Sequence, residues 1–148
     1  MNRLCLILFS AAAKLTSYNQ QNGMLDWSDK TILVAEDVPT NYMLIEAILS
    51  KTGVHLIWAR DGQEAVDKFM ENDQIDLILM DIQMPVMNGL EATRAIKKIR
   101  NHIPVIAQTA FTYNYEEETI RVAGISKVLN KPISPEVLMF SIQEFFRQ

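Results

Sequence analysis

The sequence predicts an α/β fold, a (βα)5 three-layer sandwich on a five-stranded parallel sheet. Two observations carry that reading. From Thr31 onward, five short apolar runs alternate with amphipathic stretches, at residues 32–35, 54–59, 75–80, 104–107 and 125–129. The runs are mostly continuous rather than alternating in polarity, which suits strands buried on both faces. Composition agrees: the chain has 148 residues, 49% hydrophobic and 22% charged, with 5 Gly and 5 Pro. That is one domain's worth of an ordinary folded protein and argues against collagen-like, low-complexity or wholly disordered chains.

Taken in order, residues 1–13 hold Arg3, an apolar run and a small-residue stretch, and superficially resemble an export signal. The run is too short to span a bilayer, which takes about 20 apolar residues. Residues 14–23 are polar and Asn/Gln-rich, as a linker would be, and Met24 is an alternative start. Residues 1–30 are therefore expected to be a tail or linker, and 31–148 the folded domain. The first helix is expected from about Thr40, closed by Gly53. A later stripe, Ala92, Ala95, Ile96 and Ile99, has helical spacing, as do Leu138, Ser141, Ile142 and Phe145. Ser134-Pro135 marks the start of the last helix, as an N-cap followed by proline at the first helical position.

In open α/β sheets functional groups gather at the carboxyl ends of the strands. Four of the five ends carry polar chemistry: Glu36-Asp37 after the first run, Asp81 after the third, Gln108-Thr109 after the fourth and Asn130-Lys131 after the fifth. Carboxylates from neighbouring strand ends repel, and a hard divalent cation relieves the repulsion. Asp37 and Asp81, with the backbone carbonyl of Gln83, form a donor set suited to Mg2+. With Lys131 opposite and the Thr109 hydroxyl nearby, the group would stabilise a transferring phosphoryl, and Asp81 would be its nucleophile. Each residue alone has a plainer explanation. Asp37 could cap the helix that begins at Pro39-Thr40, Glu36 could be a solvated strand-end carboxylate, and Asp81 could initiate a turn. Lys131 could be a solvated charge, and Thr109 an ordinary β-branched strand residue. Their joint placement on successive ends of one sheet is what the plain explanations do not reach.

The stretches ILVAED (32–37), LMDIQMPVMNG (79–89), QTA (108–110) and NKPI (130–133) resemble the receiver domain of two-component response regulators. The resemblance runs from Thr31 to the end of the chain. It implies a flavodoxin-like sheet in the order 2-1-3-4-5. It also implies Asp81 as phosphoacceptor, Glu36 and Asp37 as the acidic pair, Thr109 as the switch hydroxyl, Lys131 as the phosphate-pairing lysine, and Mg2+ as cofactor. The Lys131-Pro132 bond is expected to be cis. The implied partner is a histidine kinase or histidine phosphotransfer domain, whose phosphohistidine would supply the phosphoryl group. The added charge would draw Thr109 inward and shift the face made by the fourth helix, fifth strand and fifth helix.

The chain departs from the family pattern at Val128, three residues before the lysine, where Tyr or Phe often serves as a switch rotamer. Tyr113 and Tyr115 are read as surface residues of the fourth helix rather than substitutes. Phe111, two residues beyond Thr109, sits where the family can govern access of the hydrolysing water, and with Gln83 it is expected to slow dephosphorylation. The segment EDVPTN (36–41), followed by Leu44-Ile45, looks like receivers attached to hybrid sensor histidine kinases. The acidic run at 116–118 is read as a solvated helix face that could help choose a partner. Met139, Phe140 and Phe146 exceed one helical stripe, which suggests a homodimer contact through the last helix. With no DNA-binding segment after that helix, output is expected through phosphorelay or protein contact.

A net charge of -4 gives no general attraction to nucleic acid or anionic lipid. The single cysteine, Cys5, permits neither an intrachain disulfide nor a Cys/His zinc site, and a cytoplasmic setting fits. Three rivals remain. A haloacid-dehalogenase-like phosphatase would place a general-acid Asp where this chain has Gln83. A flavodoxin would not offer Glu36-Asp37 to a phosphate. A non-phosphorylated pseudo-receiver, acting as a docking module, would not need every key residue that is present here. The receiver is not expected to be a turnover enzyme in itself.

Overall fold

The apolar runs assemble into one parallel sheet in the order β2-β1-β3-β4-β5, as the resemblance implies. The computed structural model describes residues 25–110 and 117–147. Its elements are β1 (Thr31–Ala35), α1 (Pro39–Leu49) extended by a 3-10 turn (Ser50–Thr52), β2 (His55–Ala59), α2 (Gly62–Glu71) and β3 (Leu77–Asp81). They continue with α3 (Gly89–Ile99), β4 (Val105–Thr109), α4 (Glu117–Ala123), β5 (Lys127–Asn130) and α5 (Pro135–Phe146). No helix among the described residues is long and apolar enough to cross a membrane.

Successive strand residues point to opposite faces, so each central strand feeds two apolar layers. Ile32, Val34, Leu77, Leu79 and Ile106 pack under α1 and α5, against Ile45, Ile48, Leu138 and Ile142. Leu33, Ala35, Ile78, Met80 and Val105 pack under α2 and α3, against Ala65, Phe69, Ala92 and Ile96. β3 and β4 are buried along their whole length, as continuous apolar runs require. β2 is an edge strand, exposed at His55 and buried only at Ala59.

The local signals are kept in most places. Gly53 ends the first helical segment with a left-handed φ of 73°. Ser134 accepts a bond from the Val137 N–H at the start of α5. Asp37 does not cap α1: the N-cap is Val38, with no side-chain cap bond. Of the α3 stripe, Ala92 and Ile96 are buried, Ala95 is half-buried, and Ile99, the last residue of the helix, is exposed.

The packed unit also reaches back past the boundary drawn at residue 31. Trp27 is buried, and its ring meets Phe146 edge to face at 5.3 Å between centroids. Its N–H donates to the Thr52 carbonyl at 2.7 Å. This corrects the surplus read on α5. Met139 belongs to the core and Phe146 is covered by Trp27, so of those three residues only Phe140 stands exposed. Residues 1–24, Phe111, Tyr113, Tyr115 and Glu116 lie outside the described residues.

Candidate functional site

The carboxyl ends of β1, β3, β4 and β5 deliver the predicted side chains to one place. β1 and β3 are neighbours with Ala35 opposite Met80, so the next residues, Glu36 and Asp81, come side by side. One oxygen from each of Glu36, Asp37 and Asp81 lies within 4.8 Å of the others. Lys131 reaches in from the end of β5 and binds two of them, with Nζ 2.7 Å from Glu36 Oε2 and 2.8 Å from Asp81 Oδ2. The Lys131-Pro132 bond is cis.

Glu36 is not a solvated carboxylate, being 0% exposed. Its Oε1 accepts from the Val38 N–H at 3.1 Å and from Asn41 Nδ2 at 3.2 Å. Asp81 does initiate the turn after β3, with Oδ1 accepting from the Gln83 N–H at 3.0 Å, and its other oxygen still faces Lys131. Lys131 is not a free solvated charge. Thr109 is a buried strand residue, one step past the residue paired with Asp81, and its carbonyl accepts from the Lys131 N–H at 2.9 Å. Val128 lies half-buried against Ile82, Leu90, Ala107 and Ala123, on the α3–α4 side of the sheet.

The charges are set against one another. Burial pushes the Asp81 carboxyl above its ordinary range and the Glu36 charge adds to this, while Lys131 and the Gln83 N–H pull the other way. Burial works against the Lys131 charge too, but hydrogen bonds to Asp81 and Glu36 outweigh it and hold the ammonium above the usual lysine value. Three carboxylates against one ammonium leave an excess of two negative charges. A hard divalent cation with oxygen preference matches both that excess and the donor set.

Two contributors were missed in the sequence. Asn41, in the first turn of α1, donates into Glu36. Trp58 donates its indole N–H to the Glu36 carbonyl at 2.8 Å. It stands next to last in β2. An indole N–H at a strand end was the available signal.

Residues 32–143 match the family model for the response regulator receiver domain. The chain belongs to that family. It is thus a receiver of two-component phosphorelay signalling, a regulatory signalling module, and its acidic cluster does not favour a pseudo-receiver. It is 42% identical over 115 residues to hybrid signal transduction histidine kinase I of Dictyostelium discoideum, covering 72% of this chain and only 7% of the kinase. It is 40% identical over 119 residues to the polar-differentiation response regulator DivK of Brucella anthropi, covering 78% of this chain and 95% of that protein. Among solved structures, a sensor histidine kinase receiver from Pseudomonas aeruginosa, with magnesium coordinated in its active-site cleft, matches at TM-score 0.74 and 34% identity. The match covers 80% of this receiver and 98% of that one. The Ssk1 receiver of Saccharomyces cerevisiae, solved with the histidine phosphotransfer protein Ypd1, matches at TM-score 0.72 and 26% identity, covering 79% and 88%.

Proposed function

We propose that Asp81 accepts a phosphoryl group from a phosphohistidine on a histidine kinase or a histidine phosphotransfer domain. The observation that carries this is the three-carboxylate cluster with Lys131 bridging Glu36 and Asp81. Asp37, Asp81 and the backbone carbonyl of Gln83 would hold Mg2+, with Glu36 supporting the set. When bound, the cation neutralises charge on the phosphoryl oxygens. Asp81 attacks phosphorus, the P–N bond breaks, and its electron pair stays on the donor imidazole. Lys131 then exchanges a carboxylate oxygen for a phosphoryl oxygen. The Thr109 hydroxyl serves as the switch, while Val128 leaves the switch without an aromatic rotamer. Phe111 and Gln83, by their places in the sequence, would make self-dephosphorylation slow.

A groove of about 550 Å³ between α1 and the turn after β5 supports docking of the donor beside the site. Met43, Leu44, Ala47, Pro132 and Ile133 give it an apolar lining, and it ends at Lys131. The receiver is proposed to work in the cytoplasm, joined to a parent hybrid kinase or alone, with residues ahead of the packed unit as a tail or linker. Exposed Phe140, Val137 and Val122 support a homodimer through the α4–β5–α5 face, which sedimentation of the phosphorylated protein would reveal.

Intact-mass spectrometry after incubation with acetyl phosphate tests the chemistry. One added phosphoryl group is expected with Mg2+ and none without it, and Asp81→Asn takes none. Labelling that persists in Asp81→Asn would remove Asp81 from the role. A Phe111→Ala variant whose acyl phosphate decays at the wild-type rate would remove Phe111 from hydrolysis control.

A further inference from the structure

The peptide joining Glu36 to Asp37 is held from β2 on both sides. Its preceding N–H, that of Glu36, donates to the Ala59 carbonyl at 3.0 Å, and its own carbonyl oxygen accepts the Trp58 indole at 2.8 Å. A peptide unit is planar, so fixing that oxygen fixes where the Asp37 backbone begins. The register of β1 with β2 ends at Ala35 opposite Ala59, and the indole supplies a bond just past the end of that ladder.

Trp58 is itself firmly placed. Tyr42 of α1 stacks on it at 4.4 Å between centroids and 7° between planes. The Arg60 guanidinium lies 5.1 Å from its ring centre. Its carbonyl accepts from Lys68, which pairs with Glu64 at 2.7 Å, and Glu64 accepts from the Arg60 N–H at 2.8 Å. The ring thus ties α1, β2 and α2 to one backbone oxygen of the acidic loop. Stacking and burial need only an aromatic ring, which Phe would supply. The indole N–H is the part that only Trp adds, and it is spent on the Glu36 carbonyl.

We propose that Trp58 is a positioning residue of the cation site, setting the Glu36–Asp37 peptide so that both carboxylates are presented toward Asp81. This rests on the reading that the acidic cluster holds Mg2+. Groups one bond behind a metal's ligands typically alter its affinity by tenfold or more. Trp58→Phe keeps the stack and removes the donor, so its Mg2+ affinity should fall about tenfold. Isothermal titration calorimetry on the unphosphorylated protein reads this without any phosphoryl transfer.

The chain has two tryptophans, and Trp27, at the far end of the sheet, is an internal reference. In a 1H–15N spectrum the Trp58 indole signal, identified by its loss in Trp58→Phe or by its persistence in Trp27→Phe, should move as Mg2+ saturates the wild type, while the Trp27 signal stays. Wild-type Mg2+ affinity in Trp58→Phe overturns the proposal. If that variant fails to fold, the wild-type spectrum decides: a Trp58 indole signal unmoved at Mg2+ saturation overturns the proposal equally. A wild type that takes up no Mg2+ removes the cation-site reading and this proposal together, whereas equal binding by wild type and variant removes only the role of Trp58.

Discussion

Asp81 sits where burial and the Glu36 charge oppose its ionisation more than Lys131 and the Gln83 N–H favour it. Its folded pKa therefore lies above the unfolded value. Folding of the metal-free receiver is favoured by this group at acid pH, and that contribution fades as pH rises through the folded value. Asp81→Asn should melt higher than wild type at pH 7 in chelator. The gap should narrow as pH falls and close below about pH 3, where the carboxyl is protonated in both states, and thermal melts across that range check it. A variant melting below wild type at pH 7 would mean that the Lys131 pair outweighs burial. Gln108 is a second polar residue in an unfavourable place. It is paired with Asp81 across the ladder, is 0% exposed, and neither amide atom has a hydrogen-bond partner among the described residues. Gln108→Leu keeps the volume and removes two unpaired atoms, so urea unfolding should show a gain of about 1 kcal/mol. At this scale the sequence showed which residue types stand at the strand ends. It did not show that Lys131 would bridge two carboxylates, or that Glu36 would be sealed from water, because both depend on side chains arriving from strands far apart in the chain.

Element boundaries follow the ladder rather than apolarity. Gln108 and Thr109 follow the apolar run that ends at Ala107, yet they are the last two residues of β4, and Asp81 likewise closes β3. Polar residues remain paired there because a site at the strand ends needs rigid backbone beneath it. The run at 75–80 began too early for the same reason. Ile75 is buried against the α2–α3 layer, but the strand starts at Leu77. The connection from β3 to α3 is tightly constrained. A Cβ on Gly89 would lie 2.1 Å from the Asp81 carbonyl oxygen and 2.9 Å from Ile82 Cα, and one on Gly62 would lie 2.2 Å from the Met87 carbonyl oxygen. These neighbours are backbone and cannot step aside. Gly89→Ala should cost about 3 kcal/mol and slow acetyl-phosphate labelling by displacing Asp81. Asn88→Ala offers the contrast. It removes the cap bonds to Leu90 and Glu91, should cost about 1 kcal/mol, and should leave labelling near normal. Equal losses from the two variants would show that the cap, not the close approach, holds this connection.

Across the whole molecule, chemistry and closure occupy opposite ends of the sheet. The acidic cluster lies at the carboxyl ends of the strands, whereas the other end is closed by residues that sequence periodicity could not mark as part of the fold. Trp27 stands alone among Asp26, Ser28, Asp29 and Lys30, and one aromatic without a repeat defines no strand or helix. Its partner Phe146 looked like surplus for the same reason, since neither residue explains the other until the chain has folded back. Together with the bonds from the Trp27 N–H to Thr52 and from the Lys30 N–H to the Trp27 carbonyl at 2.9 Å, the pair fastens the entry to β1 against the end of α5. Trp27→Ala leaves a cavity beneath that clasp and should destabilise the receiver by about 3–5 kcal/mol, read from the denaturant midpoint. A chain beginning at Thr31 should lose a comparable amount. Because the sheet separates the clasp from Asp81, the folded fraction of Trp27→Ala should still take one phosphoryl group from acetyl phosphate at the wild-type rate. Loss of labelling in proportion to unfolding fits this division of the molecule; loss of labelling in fully folded protein would instead show that the clasp on α5 is coupled to the site.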